Sequence, residues 1–391
     1  MKYEQFCFAE LASLETFTQV EGDTTTDIPE TKHIFNDNCF KGCPKLRTVN
    51  LPSNIGSLGL YCFTDCKMLT GFVFPPELTK CQCHSFERCT SITEMDLSNV
   101  KWLGNHVFDG CTNLVKIIFS DKLRDVMGNT FNGCTKLPEL TGLETNEHFT
   151  FKRRFLYGCS SLTHFKIPRM MTMIPFEALR NCRSLSRLTI HDGITFIEYD
   201  AFSFTGITEI TMPSELSTLE KNVLRKCLNL RKVDFSYCYN LISLPNDLFA
   251  GDVSLSEIVL PPKLESIPNY AFSGTSLESI IFPETFRQFG NSVFMDCKQL
   301  KSVYIFGKSL FLSGQMFSGC SSLTKIYINP EISMVERNTF DGITQNVEIV
   351  YCSNRIFTDT SVNSNQYLTV KVPSGYEKET FLGLPINKVD N

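Results

Sequence analysis

Nowhere in these 391 residues do five or more lysines and arginines cluster, and the formal net charge is −5. A phosphate backbone demands a concentrated positive footprint, so nucleic acid is excluded as an expected partner. Long apolar runs are missing too. The densest, Ser302 to Gly314, is interrupted by Lys308 and falls far short of the roughly 20 residues that span a bilayer, so no membrane-spanning segment is expected. The first thirty residues carry acids from Glu4 onward without an uninterrupted apolar stretch, unlike a secretory signal. No asparagine lies in an Asn-X-Ser/Thr sequon, which leans towards an unglycosylated, reducing, cytoplasmic setting.

Signatures of chemistry are equally sparse. The histidines, His33, His84, His106, His148, His164 and His191, are scattered without an i,i+4 pair, so no metalloprotease motif exists. Gly307-Lys308-Ser309 ends like a phosphate loop, but Ser302 stands where that motif needs glycine. Neither a G-x-S-x-G elbow nor a G-x-G-x-x-G fingerprint occurs. The sequence therefore predicts neither an enzyme nor a cofactor.

What is present is a repeat. Aligned on the phrase Phe-x-x-Cys-x-x-Leu, Phe40, Phe63, Phe86, Phe108, Phe131, Leu156, Leu179, Phe202, Leu224, Phe249, Phe272, Phe294, Phe317 and Phe340 fall in one column, spaced by 22, 23 or 25 residues. The second half of each unit, as in Leu162/Phe165/Ile167, Leu185/Leu188/Ile190 and Leu323/Ile326/Ile328, alternates apolar and polar with period two and reads as a strand of about four or five residues. Pro52, Pro75, Pro168, Pro213, Pro261 and Pro283 follow that strand and stop it, because proline cannot donate to a ladder. One such unit cannot bury its apolar face alone, so neighbours must stack. The expected fold is thus a mainly β solenoid of about fourteen coils, each with one short parallel strand plus a turn, short second strand or helical turn.

Ala271-Phe272-Ser-Gly, Phe317-Ser-Gly-Cys320-Ser-Ser-Leu323 and Cys62-Phe63-Thr-Asp-Cys66 resemble the BspA-like leucine-rich-repeat family. That resemblance covers about residues 30 to 350. It implies a protein-binding scaffold of the surface-antigen or adhesin kind, found in bacteria and parasitic protists, and hence a cell-surface setting at odds with the cytoplasmic leaning. Residues 1–30 are expected to form an atypical N-terminal cap with amphipathic content around Phe6 to Phe17, and residues 31–350 the solenoid. Residues 351–391 then form an irregular loop (351–366) and a C-terminal cap strand around Tyr367 to Tyr376. The 25-residue units before Leu156 and Phe249 are expected to hold loops.

Ten of the seventeen cysteines occupy one column, Cys43, Cys66, Cys89, Cys111, Cys134, Cys159, Cys182, Cys227, Cys297 and Cys320, where Thr205, Asp252, Thr275 and Ile343 stand in other units. Cys39 and Cys62 take the small-residue position of Ala178, Ala201 and Ala271. Cys81, Cys83, His84 and Cys89 together have zinc-like ligand types, but Cys81 and Cys89 stand in apolar columns. The expectation is buried free thiols, with neither a metal nor a disulfide ladder. Cys7, Cys83, Cys238 and Cys352 have no place in the register.

Two outward columns of the strand carry the candidate partner-binding face. The first, Glu94, Lys116, Glu139, His164, Arg187, Glu209, Lys232, Glu257 and Lys325, mixes charge. The second runs from Asp96, Lys166, Thr189, Thr211 and Asp234 to Val259, Ile281, Tyr304 and Tyr327. Exposed apolar and aromatic residues mark contacts, so Val259, Ile281, Tyr304 and Tyr327, with Lys232, Glu257 and Lys325 beside them, are the expected site for a protein ligand. The competing expectation is that residues 351–366 or the C-terminal strand cover them.

Overall fold

The computed structural model describes residues 8–18, 33–143, 146, 148–249, 251–307, 309–329, 331–356, 362–363 and 365–389. Cys7, Lys308 and parts of the 1–30 and 351–366 segments lie outside them. The fold is a mainly β solenoid of about fourteen turns, without a helix among the described residues. Two compact units divide the chain, Met1–Thr189 and Ile190–Asn391.

In the first unit, each coil contributes up to two short parallel strands. One row, His33–Phe35, Ile55–Leu58, Lys80–Cys81, Trp102–Leu103, Asp125–Val126 and Thr150–Phe151, forms a continuous sheet. The opposite row is the predicted strand. It appears as Thr16–Thr18, Thr48–Asn50 and Gly71–Phe72, then as the pair Glu94–Leu97 and Lys116–Phe119, and again as the pair His164–Lys166 and Arg187–Thr189. Its alternation is as read: in Lys116–Phe119, Ile117 and Phe119 point inward while Lys116 and Ile118 are exposed. Most of these strands have two to four residues, shorter than the expected four or five, because the chain turns away once one or two inward residues have reached the core. One coil departs altogether: residues 138–143, which include Glu139 of the charged column, form no strand.

Between the rows runs the aromatic column. Phe40, Phe63, Phe86, Phe108 and Phe131 are fully buried, and successive rings lie 5.3–5.6 Å apart and within about 11° of parallel. Such offset stacks add to the transfer free energy of each ring. The turn around most of these positions is fixed by two left-handed residues, two before and two after it, as at His84 and Arg88 (φ 62° and 57°) around Phe86. Glycine takes the second position in many coils because it adopts that conformation without Cβ strain.

The second unit repeats the design. Phe249, Phe272, Phe294, Phe317 and Phe340 stack at 5.6–6.1 Å. Its ladder row begins with Glu209–Thr211, Lys232–Asp234 and Glu257–Val259. A seven-stranded sheet then runs through Ser279–Phe282, Ser302–Ile305, Lys325–Ile328, Val347–Tyr351, Leu368–Pro373, Leu384–Val389 and Thr380–Phe381. All its pairings are parallel except the last.

The sixteen described cysteines are all free thiols, fourteen of them buried. The column has a specific role. From Cys66 onward each S–H donates to the backbone carbonyl at the aromatic-column position of the preceding coil, as from Cys66 to Phe40, Cys111 to Phe86, Cys182 to Leu156 and Cys320 to Phe294, at 3.0–3.1 Å. Thr205 and Thr275 turn their hydroxyls onto the carbonyls of Phe202 and Phe272 in their own coils, both at 2.8 Å. Cysteine and threonine both supply a small donor at this position, whereas Asp252 accepts the Cys227 N–H there and Ile343 offers no polar group. Burial pushes the thiols up, to about 12 for Cys66 and Cys111, so they are protonated donors and not reactive thiolates. Cys238, unplaced by the register, is also buried and donates to the Pro213 carbonyl at 3.3 Å.

Candidate functional site

The residues expected to bind a partner lie on the ladder row of the second unit. Register places Ile281, Tyr304, Tyr327 and Val350 side by side on four adjacent strands. Val259 sits on the strand Glu257–Val259, paired with Asp234. Ile281 is 61 % exposed and Val259 38 %, so the apolar character of this column reaches solvent. Tyr304 and Tyr327 are half-buried against each other, ring centroids 6.0 Å apart.

The flanking charges are partly neutralised along the ladder. Lys232 pairs with Glu257 at 2.5 Å, and that hydrogen bond raises the lysine pKa. Glu348 is shared between Lys371, at 2.7 Å, and Lys325, at 4.0 Å. Lys116–Glu94 and Lys301–Glu278 repeat the pattern. Exposed pairs of this kind contribute little stability, and their alternation keeps the sheet face polar.

Two residues at this face escaped the column analysis. Phe306 lies with its ring centroid 5.9 Å from Tyr327. Phe282 pairs with Ile305, so Phe306 occupies the place that Pro283 holds one coil earlier; the missing proline was the readable signal. Cys352 holds the same place two coils further on and hydrogen-bonds Tyr327, raising the tyrosine pKa. Tyr327 is thus partly covered by Phe306 and Cys352, whereas Ile281 is open.

Other candidate chemistry does not converge. Cys81 and Cys89 are fully buried, and Cys83 accepts a hydrogen bond from the Asn105 backbone N–H at 3.3 Å. His84 and His106 stack at 4.6 Å, and each pairs with a local carboxylate, Glu87 at 2.8 Å and Asp109 at 2.6 Å. Among the described residues no group of three His, Cys, Asp or Glu side chains is arranged to hold a metal. No helix among them is long and apolar enough to cross a membrane.

The repeat phrase, its coil-by-coil stacking and the ladder face coincide with a known pattern: six copies of the BspA type leucine-rich-repeat region match over residues 4–138, 149–251 and 242–369. The chain belongs to the BspA type leucine-rich-repeat family. A leucine-rich-repeat protein from Bacteroides ovatus is similar at 20 % identity with a TM-score of 0.50, covering 80 % of this chain and 88 % of that one. This likeness concerns the fold. The pneumococcal vaccine antigen PcpA is 18 % identical over 90 % of this chain and 86 % of its own, with a TM-score of 0.42. A leucine-rich cell surface protein from Faecalibacterium prausnitzii is 19 % identical over 70 % and 87 %, with a TM-score of 0.39. No curated protein matches. The family and these structures are leucine-rich-repeat proteins, and leucine-rich-repeat proteins generally bind other molecules.

Proposed function

We propose that this BspA type protein is a non-catalytic scaffold that binds a protein ligand through the ladder face of its second unit, in the manner of a surface antigen or adhesin. Ile281, Tyr304 and Tyr327 are the anchors, Val259 extends the stripe, and Lys232, Glu257 and Lys325 form its polar margin. The observation that carries this reading is the register of Ile281, Tyr304, Tyr327 and Val350 on consecutive strands, an apolar stripe that ends with 61 % of Ile281 in solvent. Aromatic residues beside charged rims are the usual energetic centres of interfaces.

The test is a pull-down with the immobilised chain and its Tyr304→Ser/Tyr327→Ser variant. Loss of captured protein in the variant supports the reading; unaltered capture removes it. A second reading, an intracellular adaptor using the same face, draws on the sixteen free thiols and the missing sequons. Surface labelling of intact source cells separates the two.

A further inference from the structure

The first unit carries a second recognition feature on its ladder row, independent of the tyrosine stripe. In the coil after Phe131, Gly142 stands where register places Phe119 one coil earlier and Ile167 one coil later. Its φ of +91° is incompatible with an extended strand and strained for any residue with a Cβ. Pro138 at the start of the same segment removes a backbone donor. The ladder is therefore interrupted between Lys116–Phe119 and His164–Lys166, and a Cβ at Gly142 would press on the Phe119 carbonyl at 3.1 Å.

An open groove of about 580 Å³ lies beside this segment, lined by Leu140, Leu143, His164, Phe165, Lys166, Arg187 and Thr189. Leu140, Leu143 and Phe165 form an apolar floor. The rim is cationic: Lys166 and Arg187 are exposed, and among the described residues neither has an ion pair. This departs from the rest of the row, where Lys116, Lys232, Lys301 and Lys325 each face a glutamate. Glu139, next to the groove in sequence, engages Thr141 at 3.3 Å instead, and among the described residues no carboxylate lines the groove. Uncompensated positive charge beside an apolar trough, on a chain of net charge −5, is a local feature and not a general attraction for anions.

We propose that this groove binds an acidic peptide segment, its carboxylates on Lys166 and Arg187 and an apolar side chain seated on Leu140, Leu143 and Phe165. Bidentate carboxylate recognition suits the arginine. A sulfated polysaccharide would satisfy the charges but leave the floor bare, so the peptide fits better.

The probe is a fluorescein-labelled ten-residue peptide alternating Asp or Glu with Leu and Phe, followed by anisotropy on the full chain. A twin peptide carries Gln for every acid, and a heparin oligosaccharide serves as the alternative ligand. The acidic peptide is expected to bind at least tenfold more tightly than its twin at low salt, and added NaCl should erode that advantage. Lys166→Glu/Arg187→Glu, two exposed changes, should abolish the preference with an unchanged circular dichroism spectrum, and Lys166→Gln/Arg187→Gln should reduce it. Tyr304→Ser/Tyr327→Ser should leave it intact, which keeps this result separate from the tyrosine stripe. Equal binding of both peptides, undiminished binding by the charge-reversed chain, or preference for heparin would overturn the proposal. Glu144 and Glu147 lie outside the described residues; binding that arises only in Glu144→Gln/Glu147→Gln would overturn it as well.

Discussion

Phe272→Ala probes the physics of the stack. The ring is fully buried and sits between Phe249 at 5.6 Å and Phe294 at 5.8 Å. Removing it forfeits roughly 1.5–3 kcal/mol of transfer free energy. Two aromatic contacts of about 0.5–1.5 kcal/mol each are lost as well, and part of the resulting cavity stays open because both neighbours are held by their own coils. The expected loss is about 3–5 kcal/mol, the usual range for a buried Phe→Ala change. Phe272→Leu is the control: leucine is native to this column at Leu179 and Leu224, and it should cost about 1–2 kcal/mol by retaining most of the volume. Urea denaturation of the whole chain followed by far-ultraviolet circular dichroism measures both, with each resolved transition fitted separately because repeat arrays need not unfold in one step. A loss below about 1 kcal/mol for Phe272→Ala would refute the argument, since only an exposed or loosely packed ring is so dispensable.

Two further substitutions test single positions. Asp252 takes the cysteine position in its coil, accepts the Cys227 N–H at 2.7 Å, and has its second carboxylate oxygen without a partner; burial pushes its pKa up to about 8. The folded chain therefore holds a proton that the unfolded chain releases. Stability should fall as pH rises from about 4 to about 8, by up to about 1.4 kcal/mol per pH unit, and then level off. Asp252→Thr should flatten that slope and raise the melting temperature at pH 8; no gain there would disprove the penalty. Gly274→Ala and Gly319→Ala both place a side chain at positive φ, +73° and +79°, which costs about 1 kcal/mol. Only at Gly319 would the new Cβ also meet Asp296, 3.2 Å from its Cα, so Gly319→Ala should melt lower than Gly274→Ala, and the reverse order would contradict the turn geometry.

The repeat itself was legible because each coil restates it: one phenylalanine proves nothing, whereas fourteen aligned positions fix which side chains face inward. The cysteine column was legible as packing, since Thr205 and Thr275 share it, but its carbonyl partners one coil away emerge only in three dimensions. Charge columns were harder. His164 and Arg187 read as members of the mixed-charge column and Lys166 of the second outward column; what distinguishes Lys166 and Arg187, the absence of an ion pair among the described residues, depends on how the neighbouring coils fold. The groove beneath them lies beside the segment where Gly142 stands in place of a large inward residue, a cue present in the register but meaningful only once the strand there is seen to be lost. Phe306, standing where Pro283 stands one coil earlier, was a similar small departure from the repeat with a large local effect.

The buried, reduced cysteine column is the most exposed consequence of this architecture, and counting reactive thiols in the native chain tests it directly. With an aromatic disulfide reagent under native conditions, only Cys83 and Cys352, both half-buried, and at most Cys7 should react promptly, and all seventeen should titrate in denaturant. Rapid native reaction of many more than three thiols, or fewer than seventeen in denaturant, would contradict the coil register on which the fold and both proposed faces are built.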